Sequence, residues 1–174
     1  MPQAHCCPPG VHIQAAVQAR ARFCPEPQAA STWQPEPWAQ VSWENAQPTL
    51  AGSDDRTLAL AHNGNIINSA EMLDRLTEML DGDVSRAAGE LGRGSTTDTA
   101  ILSALLATGE GSVIDRAMRV LPTVRGAFCL TFMDENTLYA ARDPHGVRPL
   151  SLGRLDRGWV VASETAALDI VGAS

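Results

Sequence analysis

Residues Leu58–Asn68 read LALAHNGNIIN. Leu58 and Leu60 alternate with Ala59 and Ala61, which is the period-two pattern of a half-buried strand. The run then passes into His62-Asn63-Gly64-Asn65, and a helix start follows. Two readings of that tetrapeptide stand side by side. Glycine at a strand end supplies a positive φ and asparagine does the same while bonding locally, so one reading is a structural turn. In the other, the Asn63 side-chain amide and the Gly64 backbone N–H donate together to one developing negative oxygen. Removing one donor from such an oxyanion hole typically slows a reaction by about 100- to 1,000-fold.

Working outward, Asn68 and Glu71 have capping-box spacing, and Met72, Leu73, Leu76, Met79 and Leu80 form an apolar helical face that ends near Gly82. TTDTAILSALLATG, from Thr96, predicts a second helix with Ile101, Leu102, Leu105 and Leu106 apolar. Asp98 falls in its first turn, where a carboxylate is stabilised by free N–H groups and the helix dipole; its other reading is a receiver for a ligand ammonium group. SVIDRAMRVLP predicts a third helix, opened by Ser112 with Asp115 three residues on and closed before Pro122. Beyond it the period changes. GAFCLTFM, TLYAAR, LSLGRL and WVVASE are short β-rich runs separated by DEN, DPHGVRP and DRG, so an antiparallel meander is expected. Arg142 and Asp143 are read as a pair that fixes the DPHGVRP turn. A strand, a block of helices and a run of strands together predict an α+β fold with helices packed on antiparallel sheet.

The first forty residues differ. Seven of the eleven prolines lie there (Pro2, Pro8, Pro9, Pro25, Pro27, Pro35 and Pro37), and only IQAAVQARARF has the makings of a short helix. Residues 1–40 are therefore read as irregular, Pro-rich chain and 41–174 as the ordered domain. A net charge of -7 argues against a general nucleic-acid or membrane-surface binder. All thirteen basic residues are arginine, which excludes a Schiff-base or P-loop lysine. Cys6, Cys7, Cys24 and Cys129 are too few and irregular for a disulfide framework, and Cys129 reads as a small buried hydrophobe. His5, Cys6, Cys7 and His12 match no standard zinc spacing, so no metal site is expected. No basic start or apolar run of a signal peptide is seen, and the expected location is cytoplasmic.

WENAQPTL, LAHNGNIINSAEML, GSTTDTAILSALL, LPTVRGAFCLTFM, LYAARDPHGVRPLSLG and WVVASETAALDIVGA occur in this order from Trp43. Together they resemble the glutaminase domain of the amidophosphoribosyltransferase family, a class II glutamine amidotransferase domain. The resemblance implies a truncated N-terminal-nucleophile hydrolase fold of αββα layers. It places Asn63 and Gly64 on the oxyanion hole and Asp98 on the aspartate that holds the α-amino group of glutamine. It also implies an N-terminal cysteine nucleophile whose free amine serves as base, and an arginine for the glutamine carboxylate. Neither is found: QPEPWAQVS, residues 34–42, holds no arginine, and no Cys-Gly-Val-Phe-Gly-like strand occurs. Cys6 or Cys7 would carry an amide unless the chain were cut before it. The expectation is a catalytically defective glutaminase part with glutamine as ligand and no cofactor. The family's phosphoribosyltransferase half, with its Mg, is absent from the sequence read here. Partners expected are a homo-oligomer or a complementing chain. The alternatives are a non-catalytic glutamine-binding or subunit-interaction module, or a fragment with no selected function.

Overall fold

The computed structural model describes residues 47–53, 56–87, 89, 91–93, 95 and 97–174. The Pro-rich segment 1–40 and the His5, Cys6, Cys7 and His12 group lie outside them. The ordered chain is α+β. Strands β1 (Thr49–Ser53), β2 (Arg56–Ile66), β3 (Gly126–Met133) and β4 (Leu138–Arg142) form one antiparallel sheet in that order. Helices α1 (Ser69–Met79), α2 (Asp98–Ala107) and α3 (Val113–Val120) lie between β2 and β3 in the chain.

The pleat explains how sheet and helices meet. Cross-strand partners share a face, so Leu60 stands beside Thr49 and Phe132, and Phe132 beside Tyr139. That face is buried: Leu58, Leu60, Phe128, Leu130 and Phe132 form one cluster with Leu76, Leu102, Leu105 and Leu106 of the helices. Phe132 and Tyr139 also stack, with ring centroids 5.0 Å apart. Helix α2 is buried on every side from Thr99 to Leu106, which is why its sequence is apolar all round rather than striped. Burying each of its leucines is worth about 1.5–3 kcal/mol. In α1 the expected apolar face holds at Met72, Leu76 and Leu80, whereas Met79 is exposed. The Ser112–Asp115 capping box of α3 is present in full.

Four expectations are corrected. His62-Asn63-Gly64-Asn65 is no turn: β2 runs through it to Ile66, with Gly64 paired to Phe128. The expected Asn68–Glu71 capping box is not formed. Asn68 precedes α1, but its side chain makes no cap bond and instead donates to Glu71 Oε2 and Thr123 O and accepts from Arg125 N–H. The four late strands do not make one meander. The β3–β4 pair joins the first sheet, and β5 (Ser151–Leu155) and β6 (Gly158–Ala162) form a separate hairpin backed by α4 (Thr165–Ile170). The break falls at the DPHGVRP loop, where Asp143 takes the N–H groups of His145 and Val147 that a ladder would need. Asp143 thereby fixes the loop through backbone N–H groups rather than through Arg142.

Candidate functional site

The site is built on β2 and the start of α2. Thr97 caps α2 by accepting from Ala100 N–H at 3.2 Å, which leaves the Asp98 carboxylate free of that duty. Asp98 Oδ2 accepts from the backbone N–H of Ile66 at 3.2 Å, and Oδ1 from Thr99 N–H at 2.8 Å. His62 points to the same side: its Nδ1 lies 3.6 Å from Asp98 Oδ1 and 3.3 Å from Thr99 Oγ1. Gln47 closes the group from the strand's other side, accepting from His62 N–H at 2.6 Å while its own amide donates to Thr99 Oγ1. Asp98 is thus held against residues on both sides of Asn63–Gly64.

Burial alone would raise the Asp98 carboxyl. The His62 ring beside it and the N–H groups of Ile66 and Thr99 outweigh it and hold the carboxyl below the ordinary carboxylate range. The side chain is 24% exposed, so an approaching cation can reach it. A carboxylate has about four acceptor positions, and Oδ2 uses one of them on Ile66.

Gly64 has φ +154°, and a Cβ placed on it would stand 2.0 Å from Ala127 O. Gly126 answers it from β3, with φ +137° and a would-be Cβ 2.3 Å from Asn65 O. The two strands therefore come closer here than any side chain permits. Asn63 is exposed and lies on the face opposite His62, directly across from Cys129. Cys129 in turn faces Arg142 on β4. Burial pushes the Cys129 thiol up, and the Arg142 guanidinium only partly opposes this, so it is a buried thiol rather than an activated thiolate, as its apolar run suggested.

Of the residues expected from sequence, Asp98 is bonded to the strand at Ile66, two residues beyond Gly64, while the Asn63 side chain lies on the face opposite His62. His62, Thr99 and Gln47 were not singled out. For His62 a signal existed: it continues the Leu58, Leu60 alternation and so had to face inward. Among the described residues, no three or more of His, Cys, Asp and Glu are grouped to hold a metal ion. Nor is any helix there long and apolar enough to cross a membrane.

The fold is thus a helix-backed antiparallel sheet with Asn63–Gly64 on one strand and a helix-start aspartate bonded to that strand at Ile66. Residues 39–170 match the family model described as the glutamine amidotransferase domain, and the chain belongs to that family. Within it the chain is similar to amidophosphoribosyltransferases. It is 60% identical over 140 residues to that of Mycobacterium leprae, covering 77% of this chain and 24% of the relative. It is 36% identical over 134 residues to that of Bacillus subtilis, covering 76% and 26%. The solved structure of the B. subtilis glutamine phosphoribosylpyrophosphate amidotransferase complexed with ADP and GMP superposes with a TM-score of 0.61 at 35% identity. It covers 76% of this chain and 28% of that one. The fold is accordingly that of the N-terminal-nucleophile hydrolases, and the chain spans about a quarter of the length of the relatives it matches.

Proposed function

We propose that this domain binds L-glutamine, with the carboxamide at Asn63 and Gly64 and the α-amino group on Asp98. The observation that carries this is the bond from Ile66 N–H to Asp98 Oδ2. It ties an amine-receiving carboxylate to the same short piece of strand that presents the amide donors. The Asn63 amide and the Gly64 N–H are the donors for the oxygen of a tetrahedral intermediate, and Asp98 orients the substrate from its other end.

Turnover needs a thiolate with a base beside it. Residues 1–42 hold no Cys-Gly-Val-Phe-Gly-like strand, and 34–42 hold no arginine for the glutamine carboxylate. We therefore read the chain as a binder with little glutaminase activity of its own. Delivery of ammonia to phosphoribosyl pyrophosphate, and the Mg²⁺ used there, belong to the parts of such an enzyme that this match does not include.

Calorimetry with L-glutamine, beside glutamate release, tests both statements. Expected are millimolar or tighter binding, loss of at least about tenfold in Asp98→Ala as a charge-assisted contact goes, and negligible glutamate release. Binding unaffected by Asp98→Ala would overturn the site. Substantial release that disappears in both Asn63→Ala and a Cys6/Cys7→Ala double variant would show a working nucleophile and overturn the second statement.

A further inference from the structure

His62 is buried, and the reading above gives it no role. Its ring has one occupied side and one empty one. Nδ1 faces Asp98 Oδ1 and Thr99 Oγ1, while Nε2 is buried with no hydrogen-bond partner among the described residues. We infer that His62 is a positioning residue: the proton on its Nδ1 faces the Thr99 hydroxyl and the Asp98 carboxylate and holds that carboxylate in place for an ammonium group. This deepens, and rests on, the reading of Asp98 as the amine receiver.

The tautomer follows from the surroundings. With the proton on Nδ1, the ring donates toward the Thr99 hydroxyl and the Asp98 carboxylate, and only an unprotonated nitrogen is left at the buried Nε2 position. With the proton on Nε2, a buried N–H would be unpaired and the Nδ1 lone pair would face a carboxylate oxygen. Both changes are unfavourable. The backbone bond from His62 N–H to Gln47 and the strand pairing to Leu130 fix where the ring starts. Among the described residues, Asp98 is the ionised group recorded against it; Thr99, Gln47 and Leu130 are uncharged.

The test is NMR on the full chain, following the His62 ring nitrogens and the Asp98 carboxyl carbon, with glutamine calorimetry at neutral pH. Wild type is compared with His62→Asn, which keeps a donor near the Nδ1 position, and with His62→Leu, which does not. Expected are an Nδ1-protonated ring and an Asp98 titration shifted upward in His62→Leu. Glutamine affinity should fall about tenfold in His62→Leu and be largely kept in His62→Asn. An unchanged Asp98 titration in His62→Leu, or a proton found on Nε2, overturns the inference. Should His62→Leu fail to fold, the wild-type ring proton decides it, and a proton on Nε2 overturns it. No glutamine binding by wild type, with the Asp98 titration nonetheless shifted, would sink the glutamine reading and leave His62 as the holder of Asp98.

Discussion

Gly64 and Ala127 approach so closely that the position of a Gly64 Cβ is 2.0 Å from the Ala127 carbonyl oxygen. The neighbour is backbone of the central β2–β3 pair, and a rotamer change cannot relieve it. Gly64→Ala should therefore cost about 3 kcal/mol or more, from strain at a positive φ and separation of the strands. Denaturant unfolding measures it, and a loss under about 1 kcal/mol would refute the close approach. Gly82→Ala is the control. Its φ is +86°, but nothing lies within 4 Å of the added methyl, so only the backbone preference is lost, about 1 kcal/mol.

Asn68 connects the start of α1 to the entry of β3. Its side chain accepts from Arg125 N–H at 2.8 Å and donates to Thr123 O at 3.0 Å, and the residue is buried. Asn68→Ala leaves a backbone donor and acceptor without partners, at about 2–3 kcal/mol. The Arg125 amide should exchange with solvent faster in that variant. Asn68→Asp keeps the acceptor for Arg125 N–H but turns a carboxylate oxygen toward Glu71 Oε2 and Thr123 O, so it should be no more stable than Asn68→Ala.

Arg116 is buried and donates from Nε to Leu106 O and from Nη1 to Gly111 O, closing the end of α2 and the loop into α3. Lysine cannot span both carbonyls in the fork geometry of a guanidinium. Arg116→Lys is expected to cost about 2 kcal/mol and Arg116→Met more, since both charge-assisted hydrogen bonds are then lost. Equal stability of Arg116→Met and wild type would contradict this arrangement.

Stability should also fall in acid. Burial would raise the Asp143 carboxyl, but the N–H groups of Val147, His145, Phe128 and Arg148 together hold it below the ordinary carboxylate range. Asp98 is depressed as well. A depressed folded-state carboxyl binds its proton more weakly than the unfolded chain does. Its stabilisation is complete above the unfolded value, near about 4, and is lost as pH drops through the folded value. The urea midpoint should thus hold steady above about pH 5 and decline below about pH 4. Asp143→Asn should be less stable at neutral pH, because an amide NH₂ meets N–H donors, and its decline in acid should be shallower. A midpoint as steep in acid as that of wild type would show that Asp143 does not contribute.

Much of the domain was legible along the chain, because the signals are local. The 3.6-residue apolar spacing located α1, the Ser112–Asp115 pair began α3, and short runs between turn motifs marked β3 to β6. Asn63, Gly64 and Asp98 could be named because each sits in a short, ordered motif. What the sequence by itself did not determine is what those motifs touch. A His-Asn-Gly-Asn stretch is compatible with a turn until a second strand lies beside it. Only the approach of β3, with Phe128 opposite Gly64 and Ala127 opposite Asn65, makes Gly64 a strand residue. Likewise, a first-turn aspartate looks like a helix cap until Thr97 takes the cap and Ile66 and His62 arrive from another element. Hydrogen bonds and steric overlaps between residues far apart in the chain have no period to read. They exist only once α2 has been driven onto the sheet by burial of its leucines, and it is that packing which turned a set of separate motifs into one site.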